Sequence, residues 1–419
     1  MRQILLSFFI LFSFTAFSQS SSEKIKVYLD CTQRWLCDFD FVRSEMKMVN
    51  FVRDRFDSDV HVFVNTQSSS SGGTQVTINF IGEKKFLSLT DTLVYFNDPT
   101  SSQDDQRKKL VQYVKLGLVQ YISKTSAGSD LQILYIKNEE DITTPIIIDK
   151  WKNWVYQFGS SGRINGSQTY KEHSIRGSFS ADKETETLKI NFDLSFDSEV
   201  QSYIQDSSTS KFSRKEYEAG LQVAKSINSH WSYGLATSYD NSLFSNLKVG
   251  FRLRPKLEYS FFPYSTFNTQ RIVVQYMVGP TYNKYFDTTV FFKKKEFLLQ
   301  QSFNIISTFT KPWGNIALGI FYSNYFDDLS KNNLSFNGAV SWRIFKGFNF
   351  AVWGNYGIIN DQISLRKGNF TRDELLVRNR ELKSSFRYNL GIGFSYRFGS
   401  ILNNIVNPRF KGLNYSINL

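Results

Sequence analysis

An apolar residue recurs at every second position from about residue 150 onward, and this period constrains the fold more than any other feature. In residues 247–261 the odd positions carry Leu, Val, Phe, Leu, Pro, Leu, Tyr and Phe, and the even positions carry Lys, Gly, Arg, Arg, Lys, Glu and Ser. Because successive side chains of a β-strand point to opposite faces, this pattern predicts strands with one apolar face and one polar face. Residues 188–197 and 386–398 alternate in the same way. Such segments exceed the roughly 5–6 residues of an average soluble strand and match the ~9–11 residues of a tilted membrane strand.

The composition favours the same class of fold. The chain contains 40 Phe, 22 Tyr and 7 Trp, which is too aromatic for a disordered protein, and only 21% of its 419 residues are charged. With 2 Cys and 3 His it is neither a disulfide-knot scaffold nor a multi-zinc protein. A membrane β-barrel accounts for an aromatic surface without long apolar runs, since only alternate residues face lipid.

We predict an all-β transmembrane barrel of about 12 antiparallel strands in residues 150–400. The predicted strands are 153–164, 171–182, 188–200, 214–226, 231–240, 247–261, 271–285, 296–310, 314–325, 333–344, 348–360 and 385–398. Short connections are expected at 183–187, 227–230, 262–270, 311–313 and 345–347, and longer ones at 201–213, 286–295, 326–332 and 361–384. Short turns are typical of the periplasmic end and long loops of the extracellular end. Five aromatic residues fall at the short-turn end, where they would form a girdle: Trp154, Trp231, Trp313, Phe345 and Phe398.

The amino-terminal third predicts an export signal and a small domain. Residues 1–18 have a basic start, a short apolar run and small residues at the end, so we expect a signal peptide cleaved after Ser18. Residues 22–145 predict a small α+β periplasmic domain of order β-α-β-β-β-α-β, with a helix over 103–123 and a closing strand at 131–135. Residues 401–419 would form a periplasmic tail.

The two cysteines, Cys31 and Cys37, lie close together in this domain. In an oxidising compartment they are candidates for a disulfide. Two buried thiols or an accident of spacing remain open alternatives, and the lack of a nearby His argues against a metal pair.

Several segments resemble an outer-membrane barrel family of Bacteroidota with an amino-terminal periplasmic domain, distantly similar to the salt-stress-induced outer-membrane barrel family of unknown function. They are residues 30–40, 50–54, 59–62, 151–155, 257–264, 311–314 and 398–410. The resemblance implies an outer-membrane location and a barrel fold, and it implies no chemistry for any residue.

No catalytic motif is found in the sequence. Nucleophile elbows, HExxH, P-loops and a GxGxxG after a strand are all absent, and His61, His173 and His230 are isolated from one another. The rival hypothesis is an outer-membrane hydrolase, a phospholipase-like barrel enzyme. It needs a His and its nucleophile on one face, whereas His173 and Ser174 alternate along a strand. We therefore expect a non-enzymatic protein with no metal and no cofactor.

The polar face of the predicted barrel carries the candidate functional residues. The lumen-lining basic residues would be Lys248, Arg252, Arg254, Lys256, Arg343, Arg387 and Arg397, with Arg176 also pointing inward. The lumen-lining acidic residues would be Asp193, Asp197, Glu216 and Glu218. These charges fit either a narrow, anion-preferring pore or a closed lumen joined by salt bridges. The basic loop 361–384, with a capping-box pattern at 371–374, would cap the pore, bind anionic polysaccharide or form a solvated helix.

The predicted function is passive transport of small solutes, anionic ones included, or envelope anchoring and assembly through the periplasmic domain. The expected surroundings are outer-membrane lipids and lipopolysaccharide, with a periplasmic protein as a partner of the amino-terminal domain. The net charge of +12 does not indicate nucleic-acid binding, since the basic residues would face the lumen and the outside.

Overall fold

A computed structural model describes residues 24–33, 36–68, 73–98, 100–134, 149–205, 208–267, 269–368, 383–402, 404–406 and 409. The predicted signal peptide and the capping-box pattern at 371–374 lie outside the described residues.

The amino-terminal domain is a five-stranded sheet covered by helices. Its elements in chain order are β1 (Lys26–Cys31), α1 (Phe39–Glu45), β2 (Asn50–Phe51), β3 (Val60–Ser68), β4 (Thr74–Gly82), β5 (Thr90–Asn97) and α2 (Gln103–Ile122). The strand order is β2-β1-β3-β4-β5, with β1 parallel to both of its neighbours and the remaining pairs antiparallel.

Helix α2 confirms the helix predicted at 103–123. A capping box between Ser102 and Asp105 starts it, and its apolar stripe is fully buried against the sheet. Gly117 allows the close contact, because a Cβ there would lie 2.0 Å from the ring of Phe80. The core of this domain is therefore formed between α2 and the β1-β3-β4 surface.

The predicted closing strand at 131–135 is wrong for the residues described. Residues 131–134 form no strand, and Ile133 and Leu134 are 74% and 82% exposed. Ile133, Leu134 and the tyrosine after them satisfied the strand pattern, but no described strand pairs with residues 131–134.

The second part of the chain is a twelve-stranded antiparallel sheet, which confirms the number and direction of the predicted strands. The strands are β6 (Trp154–Gly166), β7 (Tyr170–Glu184), β8 (Leu188–Gln205), β9 (Ser208–Ser226), β10 (Trp231–Ser242), β11 (Leu247–Ser260), β12 (Gln270–Tyr285), β13 (Lys295–Lys311), β14 (Gly314–Tyr325), β15 (Asp328–Phe345), β16 (Phe348–Ile359) and β17 (Phe386–Tyr396). Each strand pairs with the next along the chain.

Two of the predicted long connections are much shorter than expected. Strands β8 and β9 pair out to Gln205 and Ser208, and β14 and β15 are separated only by residues 326 and 327. Polar residues at 201–213 suggested a loop, but backbone pairing continues beyond the apolar part of the hairpin. The long connections at this end, which we call the long-loop end, are 286–294 and 360–385; the opposite end is the short-turn end.

The sheet has two unpaired edges. Within the described strands no ladder joins β6 to β17, and residues near both edges are highly exposed, such as Phe158 at 81% and Phe394 at 77%. None of the helices in the described part of the chain is long and apolar enough to cross a membrane.

Cross-strand register defines two faces of the large sheet. The inner face carries Asp240, Arg252, Thr281 and Tyr325, of which Thr281 and Tyr325 are buried. The outer face carries exposed apolar side chains, including Phe251, Leu257, Tyr276 and Phe303. The alternation read from the sequence corresponds to these two faces.

Candidate functional site

The inner face holds paired charges. Arg252 Nη1 lies 2.7 Å from Asp240 Oδ2, and Arg176 Nε lies 2.6 Å from Asp197 Oδ1. Two further pairs follow the same face, Arg214 with Glu199 at 3.0 Å and Arg271 with Glu258 at 3.9 Å. Adjacent opposite charges stabilise one another and cancel most of the field that a row of cations would create.

The four predicted acidic residues share the inner face on β8 and β9. Asp197 lies opposite Glu216 in the ladder, Asp193 lies opposite Gly220, and Glu218 lies opposite Ser195. Glu216 Oε1 accepts a hydrogen bond from Ser242 Oγ at 2.6 Å. The acidic arc therefore sits beside the basic strand β11, separated from it only by β10.

Lys248 does not belong to the predicted basic row. A register shift lies between Leu247 and Val249, so that Leu247 pairs with Ser242 on the inner face and is 9% exposed. Lys248 is exposed instead. A β-bulge reverses the alternation at that point, and such a bulge depends on the partner strand rather than on the local pattern.

Arg254 faces inward, but its guanidinium is buried and hydrogen-bonded to the backbone rather than open to solvent. It is 8% exposed, and its guanidinium donates to the carbonyls of Gly279 and Pro280 at 3.1 and 2.9 Å and to Thr281 Oγ1 at 2.6 Å. The β11–β12 register has no pairs between Arg252 and Lys256, around Pro255 and Pro280. Since proline has no N–H, the Arg254 side chain supplies donors that the ladder lacks there.

The remaining predicted basic residues separate along the sheet. Lys256 is half-buried on the inner face, opposite Gly234, and Arg387 is exposed near the long-loop end of β17. Arg343 and Arg397 lie at the short-turn end, beside the amino-terminal domain. Of the four basic residues predicted on one face of β11, Arg252, Arg254 and Lys256 therefore share that face.

Arg343 makes the main contact between the two parts of the protein. Its guanidinium binds the carboxylate of Asp30 with both terminal nitrogens, and Nη2 lies 2.7 Å from Oδ1. Asp30 is 5% exposed, and His61 Nε2 lies 3.3 Å from its Oδ2. Such a two-point geometry fixes orientation as well as distance.

The pKa of the Asp30 carboxyl reflects these partners. Burial by itself raises the pKa, but the hydrogen bonds from His61 and Arg343 and the charge of Arg343 lower it below its usual range. Burial and the Asp30 charge raise the pKa of neighbouring Tyr28 to about 12. Asp30 is therefore ionised and Tyr28 is neutral at physiological pH.

We call the contact region between the amino-terminal domain and the large sheet the junction. Further contacts extend it around the turn between β15 and β16. Lys346 Nζ lies 2.5 Å from Asp57 Oδ1, and the Gly347 backbone N–H donates to Asp54 Oδ2 at 2.5 Å. Residues after β17 also take part, since Val52 forms an isolated antiparallel bridge with Leu402 and the Arg53 N–H donates to the Ile401 carbonyl at 3.0 Å. The predicted periplasmic tail thus begins as part of the junction.

The long-loop end carries a second set of contacts across the sheet. Residues 361–368 reach the connections before β11 and β13: the Asn246 side chain donates to the Ser364 carbonyl at 2.9 Å, and the Val290 N–H donates to the Leu365 carbonyl at 2.8 Å. Ile363 packs in a small apolar cluster with Leu298 and Tyr325. This part of the predicted loop 361–384 therefore folds inward over the inner face.

Cys31 and Cys37 are joined by a disulfide, with Cα atoms 6.3 Å apart. Cys31 directly follows Asp30 in the chain, so the disulfide lies beside the junction. His61 is buried beside Asp30, and His230 Nδ1 lies 2.7 Å from the Ser260 carbonyl. Among the described residues no group of three or more His, Cys, Asp or Glu side chains is placed to hold a metal ion.

No family model matches the chain, and no curated protein matches it. The functional argument therefore depends on the geometry of the inner face and of the junction.

The junction was not anticipated by sequence reasoning. The sequence pattern marked Arg343 as inward-facing but gave no indication of its partner 313 positions earlier. The only sequence feature that pointed to the junction was the position of Asp30, directly before Cys31 and near the end of a buried strand.

Proposed function

We propose that the twelve-stranded sheet closes through β6 and β17 into an outer-membrane β-barrel, and that the protein is a non-enzymatic envelope component. Its barrel holds the amino-terminal domain in a fixed position at the periplasmic surface. Passive conduction would be small or absent.

Membrane insertion is supported by the outer face. Its side chains are large, apolar and exposed along the whole set of strands, for example Leu390 at 68% and Phe297 at 70%. A soluble sheet rarely leaves so extended an apolar surface uncovered. Lipid would cover it, and closure would satisfy the two edges that otherwise present unpaired backbone groups.

The observation that carries the anchoring role is the bidentate pairing of Arg343 with buried Asp30. Around it are the Lys346–Asp57 pair and the backbone contacts to residues 401 and 402. A domain tethered only by a linker would need none of these contacts, since relative motion is the default for linked domains. The docked domain lies against the short-turn end, which is the periplasmic end in a barrel of even strand number with both termini inside.

The inner face supports a closed rather than an open passage. Four of its arginines are paired with carboxylates, and residues 361–368 fold over it at the long-loop end. Twelve-stranded barrels lie between small filled barrels and wide porins, so side chains and one inserted segment are enough to fill the interior.

Two measurements test the proposal. Cell fractionation should place the protein in the outer membrane, and an unboiled sample should migrate differently from a boiled one on a denaturing gel. Recovery in the soluble periplasm, or identical mobility, would disprove membrane insertion.

Planar-bilayer recordings on the purified protein then separate anchoring from transport. We expect no steady conductance from the natural chain. A large, stable conductance would instead favour the passive-transport function, and a salt-gradient reversal potential would give its ion preference.

A further inference from the structure

A cavity of about 710 Å³ lies between the amino-terminal domain and the short-turn end of β15, β16 and β17. Its wall contains residues 53–57 on one side and the 345–349 turn and residues 395–401 on the other. A second cavity of about 350 Å³ shares Tyr28, Arg53, Arg343 and Arg397 with the first. The two form one cleft, which we call the junction cleft.

The junction cleft is strongly basic. Its cationic side chains are Arg43, Arg53, Arg55, Arg343, Lys346 and Arg397, and its carboxylates are Asp30, Asp54 and Asp57. The cations thus outnumber the carboxylates two to one.

All three carboxylates are already engaged. Asp30 binds Arg343, Asp57 binds Lys346, and Asp54 accepts from the backbone N–H groups of Gly347 and Phe56. Arg43 is paired with Asp40, so Arg53, Arg55 and Arg397 share the charge of Asp54 alone and the cleft keeps an excess of positive charge.

Among the described residues, the three other arginines of the cleft, Arg53, Arg55 and Arg397, form no salt bridge with a carboxylate. Arg53 and Arg397 are also exposed on the wall of the cleft, so their guanidinium groups are open to an anionic ligand there.

The surroundings of the cleft identify where that ligand comes from. Phe345, Phe348, Tyr396 and Phe398 line it from the outer face, and Phe398 is 82% exposed. Aromatic side chains at a strand end typically lie at the level of lipid headgroups. The basic side chains therefore sit directly beside the proposed membrane surface.

We propose that the junction cleft binds a phosphate group, and that its source is the headgroup of an anionic phospholipid in the periplasmic leaflet. Arginine guanidinium groups match phosphate oxygens in geometry and charge. The acyl chains would extend along the aromatic residues of the outer face. The lipid source depends on the proposed membrane insertion, whereas phosphate binding itself does not.

The test uses the full chain in detergent, stripped of lipid and then mixed with defined lipids. Native mass spectrometry counts retained phosphatidylglycerol against diacylglycerol with the same acyl chains, which lacks the phosphate. We expect phosphatidylglycerol to be retained about tenfold more. Equal retention of the two lipids would overturn the proposal without any variant.

Variants locate the site. The double change Arg53→Ser/Arg397→Ser should reduce phosphatidylglycerol retention about tenfold, and Arg53→Lys/Arg397→Lys should restore much of it. The matched control is Arg387→Ser, which removes an exposed arginine from the opposite end of the strand that precedes Arg397. Unchanged retention in the Ser double variant, or an equal loss in the control, would overturn the assignment.

A last arm distinguishes the two sources of phosphate. Calorimetric titration with inorganic phosphate in the absence of lipid should show weak binding that saturating phosphatidylglycerol abolishes. If inorganic phosphate binds tightly and phosphatidylglycerol does not displace it, the site takes free phosphate and the lipid source is wrong. Failure of the fractionation or gel-shift test would refute membrane insertion while leaving the phosphate-binding result readable on its own.

Discussion

Arg343 and Asp30 form an ion pair in which the Nη2 nitrogen and the Oδ1 oxygen are 2.7 Å apart. The arginine lies near the end of strand β15 of the large sheet, and the aspartate lies near the end of the first strand of the amino-terminal domain. Because 313 residues separate them, this pair closes a loop that contains most of the protein. The relative placement of the two parts therefore depends on this buried ion pair, on the more exposed Lys346–Asp57 pair and on the backbone hydrogen bonds around them.

We expect Asp30→Asn to weaken the junction by about 2–4 kcal/mol, since removing one partner of a largely buried pair leaves the other uncompensated. Urea denaturation of the amino-terminal domain within the full chain measures the loss. Arg343→Gln should give a similar value, and the double variant should lose much less than the sum.

The matched control for this prediction is Lys346→Ser. Its ammonium group also bridges to the amino-terminal domain, but its side chain is 56% exposed. An exposed pair contributes about 0–1 kcal/mol. Equal losses for Asp30→Asn and Lys346→Ser would mean that the Arg343–Asp30 contact has no special role.

The stabilisation of the junction by Asp30 should be lost at low pH and should stay constant near neutral pH. Its pKa in the folded protein lies below the unfolded value of about 3.9, so its stabilisation is complete above about pH 4 and is lost as pH falls through the folded pKa. The stability difference between the natural chain and Asp30→Asn should be constant from pH 7 to pH 5 and shrink below about pH 4. A difference that already disappears near pH 6 would indicate that a histidine, not Asp30, controls the contact.

A third prediction concerns Arg254. Arg254→Ser should destabilise the folded sheet by about 2–4 kcal/mol, because the carbonyls of Gly279 and Pro280 lose their donors in a buried place. Folding equilibria in urea with lipid vesicles measure this. Arg252→Ser is the control, because Arg252 lies on the same strand as Arg254. This change removes a half-exposed partner of Asp240 and should cost about 1 kcal/mol or less. If the two variants are equally stable, Arg254 is an ordinary side chain of the inner face.

The strands of the large sheet could be predicted because a period of two is a local property of the sequence. Within each predicted strand, the alternation of that segment alone shows which residues share a face. Helix α2 was predictable for the same reason, since its capping residues and apolar stripe lie within 21 consecutive positions, Ser102 to Ile122.

Features that depend on a partner strand or a distant residue could not be read in this way. The inward turn of Leu247 follows from how β10 pairs with β11, and the partner of Arg343 lies in another domain. One signal was present but unused: Pro255 and Pro280 each lack an N–H, and two prolines within predicted neighbouring strands imply a break in the ladder. Arg254, an inward-facing arginine beside this break, could then have been predicted to donate hydrogen bonds to the unpaired carbonyls.

A final prediction tests whether the outer face contacts lipid. Phe303 lies at the middle of β13 on this face, and Phe297 lies on the same face of the same strand near the long-loop end. In a bilayer, Phe303→Arg should cost about 2–4 kcal/mol at the midplane, whereas Phe297→Arg should cost about 0–1 kcal/mol near the interface. Exposed sites of a soluble sheet would show no dependence on depth, and each change would stay within about 0.5 kcal/mol.

Folding equilibria into vesicles give both values, and because the pair shares residue type, strand and face, depth is the main variable that separates them. Equal costs at the two positions would place this face in water or against protein rather than in lipid.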